Sequence, residues 1–161
     1  MNLRFSLCNG KPLFAALKAR HGGRPWTEWD PALAQREPGA LDVWRERCAR
    51  EVGAEQFAQW QFFLQWGRLR ERCRAAGIRL MGDLPIFVAH DSADVWSHPE
   101  LFRLAADGRP ASIAGVPPDY FSATGQCWGN PLYRWDVLER IGYAWWVARF
   151  RQAFATLDWV R

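Results

Sequence analysis

Apolar residues recur along the chain at helical spacing in several separate runs. In "PLFAALKARHGG", residues 12–23, Leu13, Phe14 and Leu17 share one face before Gly22 and Gly23, which predicts a first helix with a glycine stop. A Trp- and Pro-rich turn, "RPWTEWDPAL", leads to a polar helix over about residues 39–50. Next comes "AEQFAQWQFFLQWGRLRERCRAAG", residues 54–77. There Phe57, Trp60, Phe63, Leu64 and Trp66 crowd more than one face, so this helix is expected to be largely buried near its middle. "IRLMGDLPIFVA", residues 78–89, follows at once, with two short apolar runs flanking Gly82, Asp83 and Pro85. A buried strand ending near Leu84 fits, since proline cannot donate to a central ladder. Helix, glycine, strand and loop in that order is the rhythm of an alternating α/β fold.

Downstream, "DSADVWSHPELF" offers Asp91 or Ser92 as one helix cap and Ser97 as another, predicting short helices. Asp107-Gly108 marks a turn that fits a small inserted hairpin. "AGVPPDYFSATGQCWGN", residues 114–130, reads as loop from its two prolines and three glycines, yet it carries Tyr120, Phe121 and Trp128. Helices are predicted from about residue 134 and through "YAWWVARFRQAFATL", and "DWVR" begins like another buried strand. There is no internal repeat.

Composition narrows the class. At 49% apolar and 24% charged residues the chain can build a core, and it has no like-charge block that would keep it disordered. The net charge of +4 comes from basic residues scattered through helical segments, which argues against a nucleic-acid partner. Cys8, Cys48, Cys73 and Cys127 are widely spaced, with no C-x-x-C pair and no histidine pair at metal-ligand spacing. They read as free thiols of a reducing compartment. Apolar stretches are broken before membrane-spanning length and the N-terminus lacks a secretory pattern, so the expectation is a soluble cytoplasmic chain with no membrane partner. Eleven tryptophans in 161 residues are unusual. Most must pack in a core, but indoles are also natural platforms for sugar rings.

Among candidate functional residues, Asp83 sits where the strand gives way to loop, the place where functional groups gather in parallel α/β folds. Its carboxylate can accept hydrogen bonds from ligand hydroxyls; a loop cap or salt bridge explains it equally from position alone. In the aromatic loop, Tyr120 and Phe121 could stack on a ligand while Asp119, Gln126 and Asn130 bind its polar edge, a combination suited to a sugar. The same aromatics also fit an Ω-type loop packed under itself. His90 and His98 are lone histidines near helix caps and read as capping or surface residues rather than metal ligands. Trp60, Trp66, Trp145 and Trp146 have helical spacing and read as core, and Glu28 and Asp30 as solvated acids.

"GIRLMGDLPIFVAHDSADVW", "GRPASIAGVPPDYFSATGQCWGNPLYRWD" and the trailing "LDWVR" strongly resemble the 4-α-glucanotransferases called amylomaltases or disproportionating enzymes, glycoside hydrolase family 77. "ALKARHGGRPW" is similar to the same family. The resemblance spans about residues 12–161. It implies an α/β chain that is part of a (β/α)₈ TIM barrel, mostly helical, with few parallel strands and an inserted loop or hairpin region. The implied reaction is a retaining transfer of α-1,4-glucan pieces between malto-oligosaccharides, which needs a carboxylate nucleophile and an acid/base and no metal or organic cofactor.

Carried over residue by residue, the resemblance makes Asp83 a sugar-binding carboxylate at the cleavage site. Tyr120 and Phe121 become aromatics of a lid over the acceptor side, and Trp128 the tryptophan that follows them. Arg161 matches the arginine of an R-x-D motif whose aspartate is the nucleophile, which would be the second residue past Arg161. The chain is therefore expected to hold substrate-binding elements, Asp119 and Asn130 among them, with no catalytic carboxylate and no activity alone. Residues 1–11 do not resemble the family, so the expected layout is a non-matching start at 1–11 and part of a catalytic barrel domain at 12–161. A stand-alone glucan-binding module is the alternative.

Overall fold

The structure, a computed structural model, describes residues 10–161. Helix α1 (Lys11–Arg20) buries Leu13, Phe14 and Leu17, as its spacing predicts, and ends at Gly22 and Gly23, whose φ values of 63° and 78° stop the helix. Beyond a 3₁₀ turn at Trp26–Glu28, α2 (Pro31–Ala34) begins under a cap. Asp30 is exposed, as expected of a solvated acid, and it also caps the helix, accepting a hydrogen bond from Ala32 N at 2.9 Å. Trp29 lies 5.4 Å from Phe14 and 5.7 Å from Trp96, ring centre to ring centre, so this Trp-rich turn is sewn into the core.

Helix α3 (Pro38–Arg47) is followed after one residue by α4 (Ala49–Ala75). The 27 residues of α4 span about 40 Å. Its middle does not match the expected burial: no residue of α4 is buried, and Phe57, Trp60 and Phe62 are each more than half exposed. The apolar spacing marks surface that has to be covered but not what covers it. The helices that lie most closely against α4 are α1, α3 and one later in the chain. The uncovered rings pack on one another instead, Phe62 stacking on Trp66 at 5.9 Å.

Strand β1 (Met81–Gly82) precedes α5 (Ala93–Ser97), whose cap is Ser92: its Oγ accepts from Val95 N. Asp91, the other candidate cap, instead accepts from Lys18 Nζ and from the backbone N–H of Trp26. Ser97 caps nothing, and its hydroxyl has no hydrogen-bond partner among the described residues. A 3₁₀ turn at Pro99–Leu101 follows, and the Asp107-Gly108 turn closes a short antiparallel bridge between Leu104 and Pro110.

Residues 114–130 are less irregular than their prolines and glycines suggest. The two ends of the stretch pair as a hairpin, β2 (Ile113–Val116) antiparallel to β3 (Gln126–Pro131), and residues 117–125 between them form its loop. Gly115 and Gly125 allow the close approach. A Cβ on Gly115 would lie 2.5 Å from Gln126 O, and one on Gly125, at φ 74°, 2.5 Å from Val116 O. Helices α6 (Trp135–Arg140) and α7 (Ala144–Thr156) then lead to β4 (Trp159–Val160).

β4 pairs with β1 in parallel, Met81 opposite Trp159 and Gly82 opposite Val160, so the α/β rhythm is present as one short parallel pair. Both strands were expected to be buried. Met81 and Trp159 are more than half exposed, in a sheet that has only these two strands among the described residues. The core lies elsewhere, around Leu17, Leu33, Val95, Trp96, Phe102, Tyr133, Leu138 and Trp145. Cys48, Cys73 and Cys127 are free thiols, and Cys8 lies outside the described residues. No helix among them is long and apolar enough to cross a membrane.

Candidate functional site

Parallel pairing places the C-terminal ends of β1 and β4 side by side. The ladder continues one step beyond each strand, with Arg161 N donating to Gly82 O and Leu84 N to Arg161 O, both at 3.0 Å. Asp83 and Arg161 therefore leave the same edge, and their side chains meet. Arg161 Nε donates to Asp83 Oδ1 at 3.0 Å and Nη2 to Oδ2 at 2.8 Å, a two-point contact between groups that both remain largely exposed. The hydrogen bonds it donates to Asp83, and the charge of that carboxylate, push the Arg161 guanidinium further above its usual range. Each carboxylate oxygen keeps lone-pair capacity for a further donor.

The register behind this edge is fixed by Asp158, one residue before β4. Its carboxylate accepts from Leu80 N and from the guanidinium groups of Arg70 and Arg74, each at 3.0 Å, which locks the end of α4 to both strands. Those bonds, the one from Leu80 first, hold the Asp158 carboxyl down at about 2.

The segment following Asp83 has little regular structure of its own, and distant side chains hold its carbonyls. Arg149 Nη2 donates to Pro85 O at 2.8 Å, Tyr133 Oη to Ile86 O at 2.6 Å, Asn130 Nδ2 to Val88 O at 2.8 Å and Trp26 Nε1 to His90 O at 2.9 Å. Burial pushes the Tyr133 hydroxyl up to about 12, so it stays a donor at neutral pH. Arg149 is itself clamped over the rings of Trp145 and Trp146, at 4.7 and 4.8 Å. Arg149, Tyr133 and Phe87 are the residues that sequence reasoning passed over here. Arg149 did leave a signal, as one of two cations, with Arg151, inside the aromatic run of α7.

Tyr120 and Phe121 occupy the hairpin tip and are 98% and 90% exposed, so these aromatics do not pack under their own loop. Their rings meet edge to face at 5.8 Å. The backbone beneath them is braced by Asp119, whose Oδ1 accepts from Phe121 N at 2.9 Å and Ser122 N at 2.8 Å, and by Ser122 Oγ, which donates to Gly125 O. Two exposed rings on a braced turn can stack on an apolar face brought against them.

Trp128 is half exposed. Its indole N–H donates to Gln126 Oε1 at 2.9 Å, and its ring lies 6.1 Å from Phe87, edge to face, tying β3 to the segment after Asp83. The structure thus joins Asp83 with Arg161, and Trp128 and Asn130 with the segment between them in sequence, while Asp119, Tyr120 and Phe121 form the separate tip. His90 bonds Gly108 O and His98 bonds Glu100, and no group of three or more His, Cys, Asp or Glu among the described residues is placed to hold a metal ion.

The glycoside hydrolase family 77 profile, described as 4-alpha-glucanotransferase, matches residues 9–161. The chain is 56% identical over 149 residues to the 4-alpha-glucanotransferase of Thermus thermophilus, covering 92% of this chain and 30% of that protein. It is 51% identical over 150 residues to that of a Synechocystis species, with the same coverage. Among solved structures it is similar to the amylomaltase of Streptococcus agalactiae in complex with acarbose, with a TM-score of 0.90 and 39% identity over 93% of this chain and 30% of that one. The chain spans about 30% of the length of the relatives it matches.

Proposed function

Because the chain belongs to the 4-alpha-glucanotransferase family, we propose that the protein transfers α-1,4-glucan pieces between malto-oligosaccharides, and that residues 12–161 supply substrate-binding parts of its catalytic barrel. The observation that carries this reading is the two-point contact of Arg161 with Asp83 at the edge of the parallel pair, exposed and with acceptor capacity to spare. Asp83 would accept from the hydroxyls of the glucose unit at the cleavage site. Arg161, held charged by Asp83, would present its remaining N–H groups to the nucleophilic carboxylate and keep it ionised.

Tyr120 and Phe121 would close on the acceptor side of the glucan, with Asp119 setting the turn that presents them, and Asn130 and Trp128 would keep the neighbouring wall in place. Acarbose in the amylomaltase similar to this chain supports a saccharide as occupant. Retaining transfer requires a nucleophile and an acid/base flanking the scissile bond. No carboxylate of this chain takes either role in the resemblance, so the 161-residue chain by itself binds glucan without cutting it. Incubation with maltotriose tests this: the trisaccharide stays intact by chromatography, and the appearance of glucose with longer malto-oligosaccharides would contradict the assignment.

A further inference from the structure

The backbone ladder that fixes Asp83 stops one residue after it. Leu84 N donates to Arg161 O, and Pro85, which comes next, has no N–H with which to continue the pairing. Proline also locks its own φ and restricts the residue before it to extended backbone. From Asp83 to the Pro85 carbonyl the chain therefore has few free torsions. A group that holds this carbonyl bears on how Asp83 sits, and the group that holds it is Arg149, whose Nη2 donates to Pro85 O at 2.8 Å.

Arg149 comes from α7, 64 positions further along the chain. Its guanidinium stands 4.7 and 4.8 Å from the ring centres of Trp145 and Trp146, and Trp145 is only 5% exposed. The donor is thus anchored in the core. Arg149 forms no ion pair with a carboxylate among the described residues, so its charge strengthens the bond to a carbonyl instead of neutralising an acid. The next carbonyl, Ile86 O, accepts from Tyr133 Oη at 2.6 Å. The Tyr133 ring lies 5.6 and 5.4 Å from the same two indoles, so one aromatic cluster grips two consecutive carbonyls directly behind Asp83.

We propose that Arg149 is a positioning residue of the glucan site: by holding Pro85 O it sets the direction in which the Asp83 carboxylate meets a glucose hydroxyl. This rests on the reading of Asp83 as a sugar-binding group. Arg149 itself touches no sugar in this account. Its effect on affinity therefore passes through Asp83 and disappears when Asp83 no longer carries a carboxylate.

The test is a double-mutant cycle on the full chain, read as maltoheptaose affinity by calorimetry. Arg149→Met keeps an apolar stem against the indoles and removes the charge and the donor. It should weaken binding roughly fivefold in the parent and change it by less than about twofold in an Asp83→Asn background, the non-additivity expected of coupled residues. Arg151→Met, at an exposed cation on the same helix, should bind as the parent does. If Arg149→Met does not fold, Arg149→Lys, which keeps the charge and loses the planar fork, replaces it in the same cycle with a loss of about threefold. An affinity equal to the parent's, a loss as large in the Asp83→Asn background as in the parent, or an equal loss in Arg151→Met overturns the proposal and leaves the glucan reading standing. Absence of saturable binding by the parent removes the glucan reading, and the proposal falls with it.

Discussion

Arg161 and Asp83, 78 positions apart in the chain, meet through two hydrogen bonds of 3.0 and 2.8 Å at the ends of neighbouring parallel strands. The contact lies at the surface, where ion pairs contribute little to folding. Asp83→Asn should therefore leave the melting temperature close to that of the parent. If Asp83 accepts sugar hydroxyls, the same change weakens maltoheptaose binding roughly tenfold, the scale of a hydrogen bond to a charged group. Calorimetry on the two proteins measures both quantities, and a large drop in melting temperature with unchanged affinity would make the pair a structural one.

Tyr133 offers the opposite case, a buried side chain whose hydroxyl holds the segment behind Asp83 through Ile86 O. Tyr133→Phe removes that donor and is expected to cost about 1 kcal/mol in denaturant unfolding. Because burial pushes this hydroxyl up to about 12 from its ordinary 10.0, the folded state favours the neutral form. Its contribution is complete below pH 10 and is lost as the pH rises from 10 towards 12. Unfolding curves taken through that range should fall more steeply for the parent than for Tyr133→Phe.

At acid pH the controlling group is Asp158, held at about 2 against an ordinary 3.8 by Leu80 N, Arg70 and Arg74. A depressed carboxyl pKa stabilises the fold above the unfolded value and loses that effect as the pH falls through the folded one. The window is about pH 4 down to 2. Asp158→Asn should be less stable than the parent at neutral pH, and the difference should shrink across this window when urea midpoints are followed against pH. A constant difference would remove Asp158 from the acid response.

Local signals were legible in the sequence and distant ones were not. The glycine stop after α1, the Ser92 cap and the Asp107-Gly108 turn each depend on a few adjacent residues, and each stands where the pattern put it. The β2–β3 hairpin was hidden because Pro117, Pro118 and three glycines dominate its composition, although the prolines mark only its loop and Gly115 and Gly125 only the close approach of its two strands. Asp83 was found as a strand-end carboxylate, but its link to Arg161 depends on a parallel register that no local pattern encodes. The same holds for the carbonyls captured by Arg149, Tyr133, Asn130 and Trp26, each donor lying at least 42 positions from its acceptor.

The glucan assignment is tested most directly by titrating the chain with maltoheptaose while following tryptophan fluorescence, with a Tyr120→Ala, Phe121→Ala double variant alongside. Both rings are almost fully exposed, so the double variant should fold and melt like the parent. Each ring stacked on a sugar is expected to contribute about 1 kcal/mol, so losing both weakens binding by roughly thirtyfold. The account predicts a saturable change in the parent, reported by the half-exposed Trp128 beside Phe87, and its near loss in the variant. No saturable change in the parent, or equal affinity in the two proteins, would contradict it.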